Sequence, residues 1–353
     1  MRKSNHQPRA ASREQGFSIL ELVIAMVLFI VVSGAIFGLL RVGHQTRAAV
    51  SNNVQLTKSV RLGLNLIGRD TYNAGFGYPL LNAVILRDNR IAAGIGVPVD
   101  LNADPDRVPP IIAGNDLTSN TFNTTAGVMT DQVTFLFKDV SFNPVGPAGL
   151  EVAKSVNVTA NANADVLTLT SPSTSALRVN DLFLVGGRNG GFTLGVATRV
   201  VGNTVTFASG DVLGFNNPGP GGEMKTIDPV SMLRVRMVTY FVTSDGTLTR
   251  REFLNVPPPG APMMGYVDVP LVYGVEDFQI KYVQDDGRLV DNPTAGADGI
   301  LGTPDDDETS LAKVRQVRVR IHARTTELDS RGVPVSIDQT ATFATRNLGY
   351  EAN

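Results

Sequence analysis

The sequence predicts an α+β protein: one long N-terminal helix packed on an antiparallel β-sheet domain that carries an inserted small all-β unit. Three observations predict it. Phe17 to Leu40 run for 24 residues with one charge, Glu21. Leu56, Val60, Leu64 and Ile67 then recur at three- and four-residue spacing, the period of a helix with one apolar face. Beyond about residue 130, short alternating apolar runs are punctuated by Gly, Asn and Asp, as strands are.

The chain starts with a basic stretch, residues 1–16, in which Arg2, Lys3, Arg9 and Arg13 face one acid, Glu14. As a helix, 17–40 spans about 36 Å, enough for a hydrocarbon core of about 30 Å. The basic flank is expected to stay cytoplasmic, leaving everything after Arg41 outside. A plain anchor or secretory signal is the competing reading, but a signal's apolar region is only about 7–15 residues long. The amphipathic half, 41–70, adds Ala49 to the apolar series and interleaves Arg41, Arg47, Lys58, Arg61 and Arg69 with Asn and Gln. It is expected to stop near Gly68 to Asp70, ahead of the helix breakers in 73–79.

Residues 71–149 and 226–353 are assigned to the main β domain and 150–225 to the insertion. Tyr78 to Thr130 reads as a long surface connection with one or two short strands. Expected strands are 133–138, 166–170, 181–185, 193–201, 204–208, 233–242, 247–253, 271–283, 314–323 and 336–346. Ser244-Asp245-Gly246 marks a hairpin, because Asp-Gly supplies the positive φ of a tight turn. The insertion is read from its Gly pairs at 186–187 and 190–191 and the linker-like run 216–222.

Composition excludes several functions. At 353 residues and 42% hydrophobic the chain can bury a core. It has no cysteine, hence no disulfide, thiolate metal site or cysteine nucleophile. A net charge of −2 lacks the basic footprint of a nucleic-acid binder, so nucleic acid is not expected as the main partner. His6, His44 and His322 lie far apart, so no nucleophile–base set is proposed and no enzymatic activity is expected.

Residues 285–308 hold eight acids: Asp285, Asp286, Asp291, Asp298, Asp305, Asp306, Asp307 and Glu308. Two readings stay open. Asp298, Asp305, Asp306 and Asp307 are candidate Ca2+ ligands, since hard oxygen donors on a Gly-containing loop suit that ion; alternatively the loop is a solvated hairpin tip. No other cofactor is expected. The strand 316–324 alternates Val317, Val319, Ile321 and Ala323 with Arg318, Arg320, His322 and Arg324; the basic face is either its solvent side or a dock for an acidic partner.

The run Gly16-Phe17-Ser18-Ile19-Leu20-Glu21-Leu22-Val23-Ile24-Ala25-Met26 resembles the type III signal of prepilins: a basic leader ending in Gly, an aromatic new N-terminus, and Glu at the fifth mature position. A lone carboxylate in so apolar a run is expensive. The resemblance implies cleavage between Gly16 and Phe17 by prepilin peptidase, methylation of Phe17, and pairing of Glu21 with the Phe17 amine of a neighbouring subunit during assembly. Later runs, 238–242, 274–282 and 344–348, are similar to PilW-like minor pilins and, more distantly, to J-type minor pseudopilins of type II secretion. The chain departs from many pilins in lacking a C-terminal disulfide loop. Membership implies an inner-membrane precursor with a periplasmic C-terminal domain, later part of a pilus or periplasmic filament. Its implied partners are the platform protein, other minor pilins and the major pilin. Alternatives are a type II secretion pseudopilin and a pilus-associated adhesin or ligand-binding subunit.

Overall fold

The apolar periodicity of the N-terminal region produces one unbroken helix, α1 (Ile19–Asn73), of 55 residues, about 82 Å long. The computed structural model describes residues 18–79, 83–99, 104–123, 128–142, 155–170, 177–255, 265–296, 299, 303, 305–306, 308–328 and 333–348. Leu56, Val60, Leu64 and Ile67 are buried against the sheets, and each such side chain is worth about 1.5–3 kcal/mol when removed from water. The helix does not stop at Gly68–Asp70. Gly68 lies under the Phe343 ring, where its missing Cβ permits close approach, and Gly75 and Gly77, both at positive φ, end the helix after Asn73.

The elements that follow are β1 (Val84–Leu86), α2 (Arg90–Ile95), β2 (Asp106–Arg107), β3 (Ile111–Ser119) and β4 (Met129–Lys138). Next come β5 (Val156–Ala160), β6 (Val166–Leu169), β7 (Leu182–Gly187), β8 (Phe192–Val196), β9 (Arg199–Val201), β10 (Thr204–Thr206) and the single turn α3 (Glu223–Thr226). The chain then forms β11 (Pro229–Val242), β12 (Leu248–Phe253), β13 (Tyr266–Val272), β14 (Val275–Gln284), β15 (Leu289–Val290), β16 (Val314–Leu328) and β17 (Pro334–Ala344). The class is α+β: an N-terminal apolar helix and a large, mostly antiparallel β domain.

Strand β11 organises the larger sheet. Its second half, from Val235, pairs with β4 on one side and β12 on the other; its first half pairs with β7 and β5. A second sheet runs β15-β14-β16-β17. The expected hairpin forms between β11 and β12, with Gly246 at φ 80. The expected strands 193–201 and 271–283 are each two strands, the second broken at Gly274, where a Cβ would come within 2.2 Å of the Arg324 carbonyl oxygen.

Two readings need correction. Residues 78–130 are not a surface connection: Val84, Leu86, Ile91, Ile95 and Val108 are buried, and β3 pairs with β4. Strand β3 is hidden in the sequence because its register shifts between Gly114 and Thr118, so Asn115 and Asp116 occupy a bulge. Nor is 150–225 self-contained. Phe183 and Val185 face a cluster with Val158 and Phe207, whereas Leu182 and Leu184 share one with Tyr78 and Val84, so β7 joins two cores.

Candidate functional site

Helix α1 has two environments. Ile19–His44 has mean hydropathy 2.8 and is long and apolar enough to cross a membrane, and none of its most apolar window is buried. Its N-terminus is capped by Ser18, whose Oγ accepts from the Leu20 N–H at 3.3 Å. Glu21 stands three residues after the cap, in the exposed first turn, where the positive end of the helix dipole favours a carboxylate. Beyond this bare shaft, Asn52 Nδ2 donates to Glu327 Oε2 at 2.6 Å, and the buried stripe begins at Leu56.

The root of the helix is held by buried charge. Asp70, 1% exposed, accepts from Tyr240 Oη at 2.7 Å and from Arg250 Nε at 3.1 Å, both on the sheet, and from Arg69 Nε at 3.0 Å. Arg250 in turn donates to Glu252 at 2.8 Å. Arg236 stands 3.6 Å from Glu252 and 3.4 Å from Asp139, ion contacts too long or misaligned to be hydrogen bonds. Arg234 Nε donates to Asp139 at 2.9 Å and its Nη1 to Asp181 at 3.3 Å. Alternating signs thus connect the helix root to β7. Burial pushes the Asp139 carboxyl up, but hydrogen bonds from Ser141 and the charges of Arg236 and Arg234 outweigh it and hold it below its ordinary value. At Asp181 burial wins over Arg234 and the carboxyl is raised.

A further buried carboxylate joins the two sheets. Asp131 on β4 accepts from the backbone N–H of Asp116 at 3.0 Å and of Ile280 on β14 at 2.6 Å. Burial pushes it up to about 7, with the charges of Asp116 and Asp291 adding to the effect and the two N–H groups opposing it.

Of the sequence-derived sites, Gly16, Phe17, Asp298 and Asp307 lie outside the described residues. Asp305 and Asp306 accept from Thr303 Oγ1 at 2.7 and 3.5 Å. Asp286 is paired with Arg288, Asp291 with Lys281 at 2.8 Å, and Asp285 with Arg315 at 3.8 Å. Among the described residues no three His, Asp or Glu side chains converge as a metal site. The basic face of β16 is largely matched across strands: Arg320 bonds Asp277 and Asp338, and Arg324 lies 2.7 Å from Glu276, with His322 at 3.8 Å. Sequence reading missed the Asp70 network, although Arg234, Arg236 and Arg250 inside otherwise apolar strands were its visible signal. No family model matches the chain, and no curated protein matches it.

Proposed function

We propose that the chain is a type IV pilin-like subunit, a PilW-like minor pilin that assembles into, primes or caps a filament rooted in the inner membrane. The observation that carries the reading is the division of α1. A helix of 55 residues is fixed at its C-terminal end while Ile19–His44 stands bare and apolar, a shape that needs lipid or other helices around it. The prepilin-like run 16–26 starts that segment, and Glu21 is its acid. In lipid such a carboxylate needs a cation, which the Phe17 amine of an adjacent processed subunit would provide. A J-type pseudopilin would have the same requirement, so the shaft supports the subunit class and the flanking assembly proteins define the machine.

Processing is the test. Intact-mass and peptide analysis of protein from membranes should find Phe17 as a methylated N-terminus, and Gly16→Ala should leave residues 1–16 attached, because the scissile position needs glycine's lack of a side chain. An unprocessed leader on assembled protein would overturn the proposal.

A further inference from the structure

Where the turn after α1 meets the first half of β11, the surface folds into a groove of about 400 Å³, lined among others by Tyr78, Lys138, Leu184, Phe192, Ser231 and Met232. That volume lies within the range of small-molecule sites, about 300–1,000 Å³. The walls mix apolar and polar surface, and among the described residues no carboxylate lines them. Three polar groups in this lining have no ion-pair or hydrogen-bond partner among the described residues. Lys138, the last residue of β4, packs its Nζ 4.3 Å from the Phe76 ring centroid and meets no carboxylate among the described residues. The hydroxyls of Ser155 and Ser231 have no hydrogen-bond partner among the described residues.

The floor of the groove depends on an absent side chain. A Cβ on Gly186 would stand 2.6 Å from Ser231 Oγ and 2.9 Å from the Phe192 ring, so only glycine leaves both free. Elsewhere in the domain buried cations are matched by acids, as Arg234 and Arg250 are. Lys138 departs from that pattern, and partial burial holds its ammonium below the ordinary lysine value.

We propose that this groove binds a small organic anion, with an apolar body against the partly exposed Pro79 and Phe192 and an acidic head on Lys138, Ser155 and Ser231. The ammonium would supply the charge and the two hydroxyls the orienting hydrogen bonds, the arrangement expected when a few polar groups converge on a partly apolar cleft. Carboxylate and phosphate heads share this chemistry. The inference does not depend on the chain being a pilin.

Competitive lysine acetylation of the full chain in detergent, mapped by peptide mass spectrometry, reads the site directly. Phenylacetate and phenyl phosphate are the anionic probes and phenethylamine the cationic control with the same ring. At twice its Kd an anionic probe should slow Lys138 acetylation about threefold, leaving the exposed Lys58 and Lys225 unchanged. Whichever head protects better identifies the head group. Ligand-observed NMR should lose the probe signal in Lys138→Met and weaken it in Ser231→Ala, a smaller change that leaves the strand pairing of β11 in place. Equal protection by phenethylamine, equal slowing of all three lysines, or no protection by either anion at 10 mM would overturn the proposal.

Discussion

Ile19–His44 and Leu56–Asn73 belong to one helix, yet the first part buries nothing and the second buries both apolar and charged side chains. The more hydrophobic half is the more exposed one. Leu28 and Phe29 are 60% and 73% exposed, whereas Asp70, a carboxylate, is 1% exposed. Hydrophobicity explains which half needs a partner, but the surroundings decide whether the chain itself supplies it. At the root the sheet supplies Tyr240 and Arg250 to match Asp70; along the shaft the partner must come from outside. The root is therefore where substitutions should act on stability of the isolated chain.

The largest effect is expected at Asp70. Asp70→Ala leaves Arg250 buried without its carboxylate and Tyr240 without its acceptor, and breaking a buried pair costs about 3–5 kcal/mol. Against a total of about 5–15 kcal/mol, that should lower the near-ultraviolet melting temperature of the β domain by many degrees. Glu21→Ala in the shaft should leave the same melt unchanged. Equal effects of the two substitutions would erase the distinction between the halves.

Acid titration separates them by a second route. Asp131 sits at about 7 in the folded chain against an ordinary 3.8. Between those values the folded state holds a proton that the unfolded state has released, so stability falls as pH rises from 4 to 7 and the contribution is gone above 7. The size is at most about 4 kcal/mol, and Asp139 and Asp338, whose carboxyls are lowered, oppose it with stability that is lost as pH falls. Asp131→Asn should reduce the downward slope in that window in urea melts of the β domain, leaving the share that the raised Asp181 carboxyl contributes, while shaft helicity stays constant. A wild-type slope in the variant would remove Asp131 as its source.

What the sequence disclosed follows from the range of the interactions involved. The shaft was legible because its signal is local: 24 consecutive residues with one charge need no knowledge of the rest of the chain. So was the hairpin at Asp245-Gly246. β3 was not, since its bulge places Asn115 and Asp116 where alternation should continue. The Asp70 network was not either, because Asp70, Tyr240 and Arg250 are 170 and 180 positions apart and meet only through tertiary packing. The segment 150–225 looked separate from its glycines, yet the faces of β7 divide between two cores, a division visible only once β11 is in place.

The smallest effects, and the ones that compare the two halves most directly, come from two glycines of the same helix. Glycine in a helix interior costs about 1 kcal/mol relative to alanine, so Gly→Ala should stabilise wherever there is room. At Gly34 nothing lies within 4 Å of the added Cβ, and Gly34→Ala should raise shaft helicity by up to that amount. At Gly68 the Cβ would stand 2.4–2.9 Å from the Phe343 ring, on β17, so the ring or the helix must shift. Overpacking costs about 1–3 kcal/mol, which exceeds the propensity gain, and Gly68→Ala should be net destabilising by about 1 kcal/mol. Truncating the ring tests the cause: in Phe343→Ala the Gly68→Ala substitution should become neutral or stabilising, a coupling that a double-mutant cycle reads from three melts and the parent. If Gly68→Ala stabilised the chain with Phe343 intact, the helix root would be less tightly packed than its missing Cβ implies, and the contrast between root and shaft would rest on the Asp70 network alone.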